Sequence, residues 1–169
     1  RNTLIASHTS PINASSADGN IKLSVNRQIV HAYAGGAYGR RNARGGILKP
    51  VNNEWTNIII VYDGDFDNAN TATQNAGRLK LYINGDYEVF GGVDQPFVGD
   101  IPSSLTSTST DLTIGCRNPI SSHGGIRGPF RGSMSNVQLW NESLTPSEVI
   151  DVYNNGTPLQ SNIPQSGSL

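Results

Sequence analysis

Trp55-Thr56-Asn57-Ile58-Ile59-Ile60-Val61-Tyr62 is the most hydrophobic stretch of the chain, and Arg78-Leu79-Lys80-Leu81-Tyr82-Ile83-Asn84-Gly85 is the most regular. The unbroken Ile58–Val61 run predicts a strand covered on both faces, or one at the core of a sandwich. In the second stretch Leu79, Leu81 and Ile83 alternate with other residues, the period of a half-buried strand. It ends in Asn84-Gly85, two residues that tolerate the positive φ of a tight hairpin turn. Tyr87-Glu88-Val89-Phe90 then returns from that turn.

Further strand signals lie on both sides. Leu4-Ile5-Ala6 is a short first one, and Asp18-Gly19-Asn20 is turn chemistry ahead of the alternating Ile21-Lys22-Leu23-Ser24-Val25. Ile29-Val30-His31-Ala32-Tyr33 follows so closely that the two predict a hairpin about Asn26. Gly35 to Gly46 reads as a glycine- and arginine-rich loop, Asp63 to Asn75 as an acidic loop and Ser103 to Thr110 as a Ser/Thr-rich one. Leu112–Gly115 is another strand, Ser121–Pro129 a second glycine-rich loop, and Phe130–Trp140 the last strand. One helix is signalled, over roughly 146–154. Thr145 is its N-cap, Pro146 its first position and Glu148 the partner that completes a capping box. Leu144 and Val149 stand as a hydrophobic staple, and Gly156 as the C-cap. Pro158 to Leu169 is a polar, extended tail, leaving residues 1–157 as one domain.

Composition agrees. Of 169 residues, 36% are hydrophobic and 15% charged, with 19 Gly and 9 Pro, which suits short strands joined by many turns rather than a helical bundle. A net charge of −1 offers no global attraction for nucleic acid or an anionic membrane. No stretch approaches the roughly 20 apolar residues of a membrane-spanning helix. The one cysteine, Cys116, follows Leu112-Thr113-Ile114-Gly115 and reads as a buried thiol. The chain opens on Arg1-Asn2-Thr3 rather than Met, as a processed or truncated chain would.

Five of these pieces, in this order, resemble the laminin G-like (concanavalin A-like) jelly-roll domains. They are Trp55–Gly64, Arg78–Gly85, Asp111–Gly115, Phe130–Trp140 and the closing Leu144-Thr145-Pro146-Ser147-Glu148-Val149-Ile150. The resemblance implies an all-β, two-sheet antiparallel jelly-roll sandwich with one short helix near the C-terminus. It also implies that the family's opening strands lie upstream of Arg1, so that a missing N-terminal segment, a partner chain or the tail covers an open sheet edge. On this reading Trp55, Tyr82 and Trp140 pack in or against the core.

Two constellations could carry chemistry. Asp63, Asp65, Asp67 and Asn68 offer hard oxygen donors at close spacing, suited to Ca²⁺, and some members of the resembled family bind calcium at the sandwich rim. Clustered carboxylates repel unless neutralised, which favours an ion. The second set is basic and aromatic: Arg40, Arg41 and Arg44 with Tyr33 and Tyr38, joined by Arg117 and Arg127. Guanidinium forks suit the carboxylates or sulfates of an acidic glycan, and tyrosine rings can stack on sugars. Enzyme signatures are missing. A glycosidase needs two carboxylates about 5–10 Å apart, and no strand carries them alternately on one face. Gln28 and His31 suggest a polysaccharide lyase, but their spacing differs.

The expected function is therefore a non-catalytic binding or adhesion module, meeting a glycan or a surface protein through loops at one rim. The alternatives are a decorating or appendage domain of a virus particle or cell-surface assembly and, more weakly, a polysaccharide-cleaving enzyme. Neither nucleic acid nor membrane insertion is expected. The sequons at Asn13, Asn141 and Asn155 fit an extracellular, cell-surface or virion-surface location.

Overall fold

The computed structural model describes residues 2–7, 21–26, 29–34, 43–45, 54–88, 99–105, 112–115 and 130–157. They form β1 (Asn2–Ser7), β2 (Ile21–Asn26), β3 (Ile29–Ala34), β4 (Ala43–Gly45), β5 (Ile58–Tyr62), α1 (Thr71–Arg78), β6 (Leu79–Ile83), β7 (Asp86–Glu88), β8 (Leu112–Ile114) and α2 (Pro146–Tyr153). A 3₁₀ turn over Asn154–Gly156 follows α2. The strands make two antiparallel sheets, one ordered β4-β3-β2-β1-β8 and the other β5-β6-β7.

The expected hairpin is present: β2 and β3 pair from Ile21↔Ala34 to Asn26↔Ile29, across a two-residue connection. β1 lies between β2 and β8. The glycine- and arginine-rich segment is not wholly loop, since Ala43–Gly45 forms β4 against β3. Three residues with Gly at the end carry no periodicity, so only the ladder defines this strand.

β6 is the centre of the smaller sheet, and its alternation sorts its side chains. Leu79, Leu81 and Ile83 are buried with Ala34 of β3 and with Ile101, and Ile58, Ile60, Tyr62, Leu105 and Phe130 pack around them. Tyr82 belongs to a second cluster, with Val61 of β5 and Val149 of α2, joined by Ile59 and Leu144. Successive residues of β5 thus feed opposite clusters, as period two requires. Each fully buried leucine contributes about 1.5–3 kcal/mol. Among the described residues the apolar run of β5 pairs with β6 alone. Its apolar character on both faces reflects those two clusters.

The Asn84-Gly85 turn forms with φ of 52° and 84°, the signs of a type I′ turn. Asn84 N–H donates to the Asn57 carbonyl (3.0 Å), and Asn57 N–H donates to Asn84 Oδ1 (2.9 Å), closing the end of β5 against the turn. At Gly85 a Cβ would lie 2.7 Å from the Tyr153 ring, so this glycine also admits α2.

α2 is capped as expected. Thr145 N–H and Oγ1–H donate to Glu148 Oε2 at 2.7 and 2.8 Å, and Glu148 N–H donates to Thr145 Oγ1 at 3.3 Å. Leu144 and Val149 meet in the second cluster. The C-cap is Asn154 in the left-handed conformation (φ 44°) rather than Gly156. The hydrogen bonds from Thr145 hold the Glu148 carboxyl below its ordinary range. The box therefore contributes stability above the unfolded-state pKa of about 4.3, and loses it as pH falls through the lower folded value. Melting temperatures of wild type and Glu148→Gln should differ at pH 7 and converge at pH 3.

Three expectations need correction. The Asp63–Asn75 segment is not all loop, because α1 begins at Thr71, capped by Asn70 Oδ1 accepting from Thr73 N–H at 3.0 Å. The described residues therefore hold two α-helices where one was expected. Trp55 is 72% exposed and precedes β5 instead of packing in the core, whereas Tyr82 is buried and Trp140 half-buried. Phe130–Trp140 forms no strand among the described residues, only a single bridge at Trp140. Phe130 enters the core and its N–H donates to the Gly115 carbonyl (2.7 Å), but Asn136 adopts φ 50° and breaks the alternation, leaving Met134, Val137 and Leu139 exposed. Val89, Phe90, Cys116, the loop 121–129 and the tail 158–169 lie outside the described residues.

Candidate functional site

The acidic segment follows β5, and three of its side chains are engaged in local contacts. Asp63 Oδ2 lies 3.6 Å from Lys80 Nζ. Asp67 Oδ1 accepts from Gln74 Nε2 at 2.6 Å, and Asn68 Oδ1 accepts from Asn70 N–H at 2.9 Å. Asp65 and Asp63 both act on Tyr62, whose hydroxyl is pushed above its usual pKa first by burial and then by these two charges, with Arg78 opposing. Among the described residues no three His, Cys, Asp or Glu side chains gather as metal ligands. The four oxygen donors named from the sequence are neighbours along the chain; Asp63, Asp67 and Asn68 each serve a different local contact, and Asp65 is exposed.

Behind this segment stands a network the sequence did not announce. Arg78 donates from Nε to the Phe66 carbonyl and from Nη1 to the Ile101 carbonyl, both at 2.9 Å. Asn75, 3% exposed, accepts from Ile101 N–H at 2.8 Å and donates to the Gly99 carbonyl at 3.3 Å. The Tyr62 hydroxyl donates to the Pro102 carbonyl at 2.8 Å. Together these join residues 63–70 to residues 99–105, so the acidic segment is held from behind by buried or half-buried polar groups. The readable signal was slight: a polar Asn inside a helix with Arg at its last position.

The basic and aromatic set divides. Tyr33 and Arg44 are brought together, as directly opposed residues of β3 and β4. Lys22 of β2, unremarked in the sequence reading, opposes Tyr33 from the other side. Counting back from the two-residue hairpin connection would have found it. Ala34, next to Tyr33, is fully buried in the core. By register Tyr33, Arg44 and Lys22 share one row of the ladders, alternate to the row that holds Ala34. Tyr38, Arg40, Arg41, Arg117 and Arg127 lie outside the described residues.

No described helix is long and apolar enough to cross a membrane. A laminin G family model, described as the concanavalin A-like lectin/glucanases superfamily, matches residues 3–150. No curated protein and no solved structure matches the chain.

Proposed function

We propose that this chain, which belongs to the concanavalin A-like lectin/glucanases superfamily, is a non-catalytic binding module that recognises carbohydrate around Tyr33 and Arg44. The observation that carries the reading is their register: Tyr33 and Arg44 are directly opposed residues of the adjacent strands β3 and β4. Tyr38, Arg40 and Arg41 fall in the short connection between those two strands, close enough along the chain to extend the same surface. Arg117 and Arg127 belong to the reading through their sequence character alone. Binding residues concentrate where a rigid sheet meets its connecting loops.

The same reading takes the two antiparallel sheets as the layers of a jelly-roll sandwich, supported by Ala34 of one sheet lying among Leu79, Leu81 and Ile83 of the other. It places the module outside the cell, on a cell or virion surface. It keeps Asp63, Asp65, Asp67 and Asn68 as candidate Ca²⁺ ligands, with the condition that Asp63 releases Lys80 and Asp67 releases Gln74.

A glycan array, read in calcium and again in chelator, tests this. Binding to at least one glycan class is expected, together with a rise in melting temperature on adding calcium. An array silent in both conditions would remove carbohydrate recognition, and an unchanged melting temperature would remove the ion.

A further inference from the structure

Asparagine followed by glycine occurs twice in the chain, at Asn84-Gly85 and Asn155-Gly156. The pair is chemically reactive, because the glycine amide nitrogen can attack the asparagine side-chain carbonyl carbon and no Cβ shields it. Both asparagines are exposed and both hold positive φ, 52° and 51°. The fold nevertheless treats them differently. Asn84 Oδ1 accepts from Asn57 N–H at 2.9 Å, and Asn84 N–H donates to the Asn57 carbonyl at 3.0 Å. The Ile83↔Asp86 pair of β6 and β7 closes the same turn, and the Tyr153 ring lies against Gly85. Asn155 lies in the 3₁₀ turn beyond α2, and among the described residues its side chain makes no hydrogen bond. That turn is closed by Thr157 N–H donating to the Asn154 carbonyl at 3.0 Å and by Asn154 Nδ2 donating to the Thr157 carbonyl at 3.3 Å, and neither bond holds Asn155 itself. Gly156 is exposed, and a Cβ there would meet Tyr153 only at ordinary contact distance, 3.8 Å.

We propose that Asn155 is a covalent modification site, a point of spontaneous deamidation at the C-terminal end of α2. The ψ of 36° at Asn155 turns the Gly156 nitrogen away from the side chain, so the turn must open first. A helix-end turn held by exposed hydrogen bonds opens at low cost, whereas the Asn84 turn opens only with the β6–β7 hairpin. Once the turn is open, the Gly156 nitrogen gives its proton to solvent base and bonds to Asn155 Cγ. The Cγ–Nδ2 bond breaks and the nitrogen leaves as ammonia. Water then opens the cyclic imide. Attack at Cγ yields aspartate, and attack at the main-chain carbonyl yields isoaspartate, in which the chain runs through the side-chain carbon. Ammonia is lost, water is gained, and nothing is oxidised or reduced. Both products place a carboxylate beside the last carbonyls of α2, where negative charge is unfavourable. Isoaspartate also lengthens the main chain by one methylene. The change thus loosens the end of α2 that sets Tyr153 against Gly85.

The test incubates the full chain for weeks at body temperature, at neutral and at mildly alkaline pH. Conversion is followed by peptide mapping with mass spectrometry and by enzymatic methylation of isoaspartyl carboxylates. The Asn155 peptide should gain the mass of an amide-to-carboxylate change and an isoaspartyl signal, faster at the higher pH because the attacking nitrogen must lose its proton. Asn84 should convert at least about tenfold more slowly, a ratio set by the extra opening its turn requires. In concentrated denaturant the two rates should come together, since the fold alone separates them. Asn155→Gln should abolish the signal at that position. Asn155→Asp, which installs the carboxylate directly, should melt at a lower temperature than Asn155→Gln. Conversion of Asn84 as fast as Asn155 in the folded chain would overturn the assignment. So would an Asn155 that stays intact when folded over the period in which it converts in denaturant. Equal melting temperatures for Asn155→Asp and Asn155→Gln would overturn the effect on α2.

Discussion

Leu81→Ala should cost about 3–5 kcal/mol of stability, a large share of the total for a domain of this size. Leu81 is fully buried at the middle of β6, which pairs on both sides, with Ile60 of β5 and Glu88 of β7. It shares its cluster with Ala34, Leu79, Ile83 and Ile101. Truncation removes the transfer free energy of the lost carbons and leaves a cavity that two hydrogen-bonded neighbours prevent from closing. The melting temperature should fall by about 10 °C, at roughly 2–4 °C per kcal/mol for a chain of this length. Ile150→Ala, at a side chain 60% exposed on α2, should stay within about 0.5 kcal/mol of wild type. Equal effects from the two substitutions would mean that β6 is not enclosed between the clusters.

Gly64→Ala is expected to be the second most damaging change, at about 2–3 kcal/mol. A Cβ there would collide with the Ser103 carbonyl oxygen and stand 2.9 Å from the Tyr62 hydroxyl. The nearer atom is backbone, so relief cannot come from turning a side chain. Residues 63–70 must move away from residues 99–105, and that movement strains the hydrogen bonds from Tyr62 to Pro102 and from Arg78 to Ile101. The damage is therefore shared with those bonds. Tyr62→Phe should cost about 1 kcal/mol alone, and the double variant should cost clearly less than the sum of the two singles. Additive costs in a denaturant titration would show that Gly64 does not act through this junction.

What could be read from the sequence follows from how local each cause is. β6 was legible because Leu79, Leu81 and Ile83 alternate, and its turn because Asn84 and Gly85 both accept positive φ. α2 was legible because Thr145, Pro146 and Glu148 write the cap into three nearby positions. α1 was not, since Thr71-Ala72-Thr73-Gln74-Asn75-Ala76-Gly77-Arg78 has no apolar stripe and includes a glycine. Its only local signal was the Asn70 cap; the rest of its support is tertiary, from Asn75 and Arg78 reaching residues 99–105. Gly77 is part of that support, because the Phe66 ring occupies the space a Cβ would take. Phe130–Trp140 misled for the opposite reason: its apolar residues suggest a strand, but the left-handed Asn136 interrupts it.

The site shows the same division. Tyr33 and Arg44 could be picked out by residue type, but their pairing depends on β4, a strand too short to signal itself. Lys22 was hidden in plain alternation, and its place beside Tyr33 is a matter of hairpin register. In the acidic segment proximity in sequence suggested a shared ion, and the folded chain adds what sequence does not show, the contacts of Asp63 with Lys80 and of Asp67 with Gln74.

The central claim, that carbohydrate meets the chain around Tyr33 and Arg44 rather than at the acidic junction, is tested most directly by backbone amide chemical shifts of the isotope-labelled chain during titration with the oligosaccharides that the glycan array selects. The account predicts that the shifts concentrate in residues 29–34 and 43–45, with Tyr33 and Arg44 among the largest, while residues 63–70 and 99–105 stay still. Shifts confined to 63–70 and 99–105, or none at saturating oligosaccharide, would contradict it.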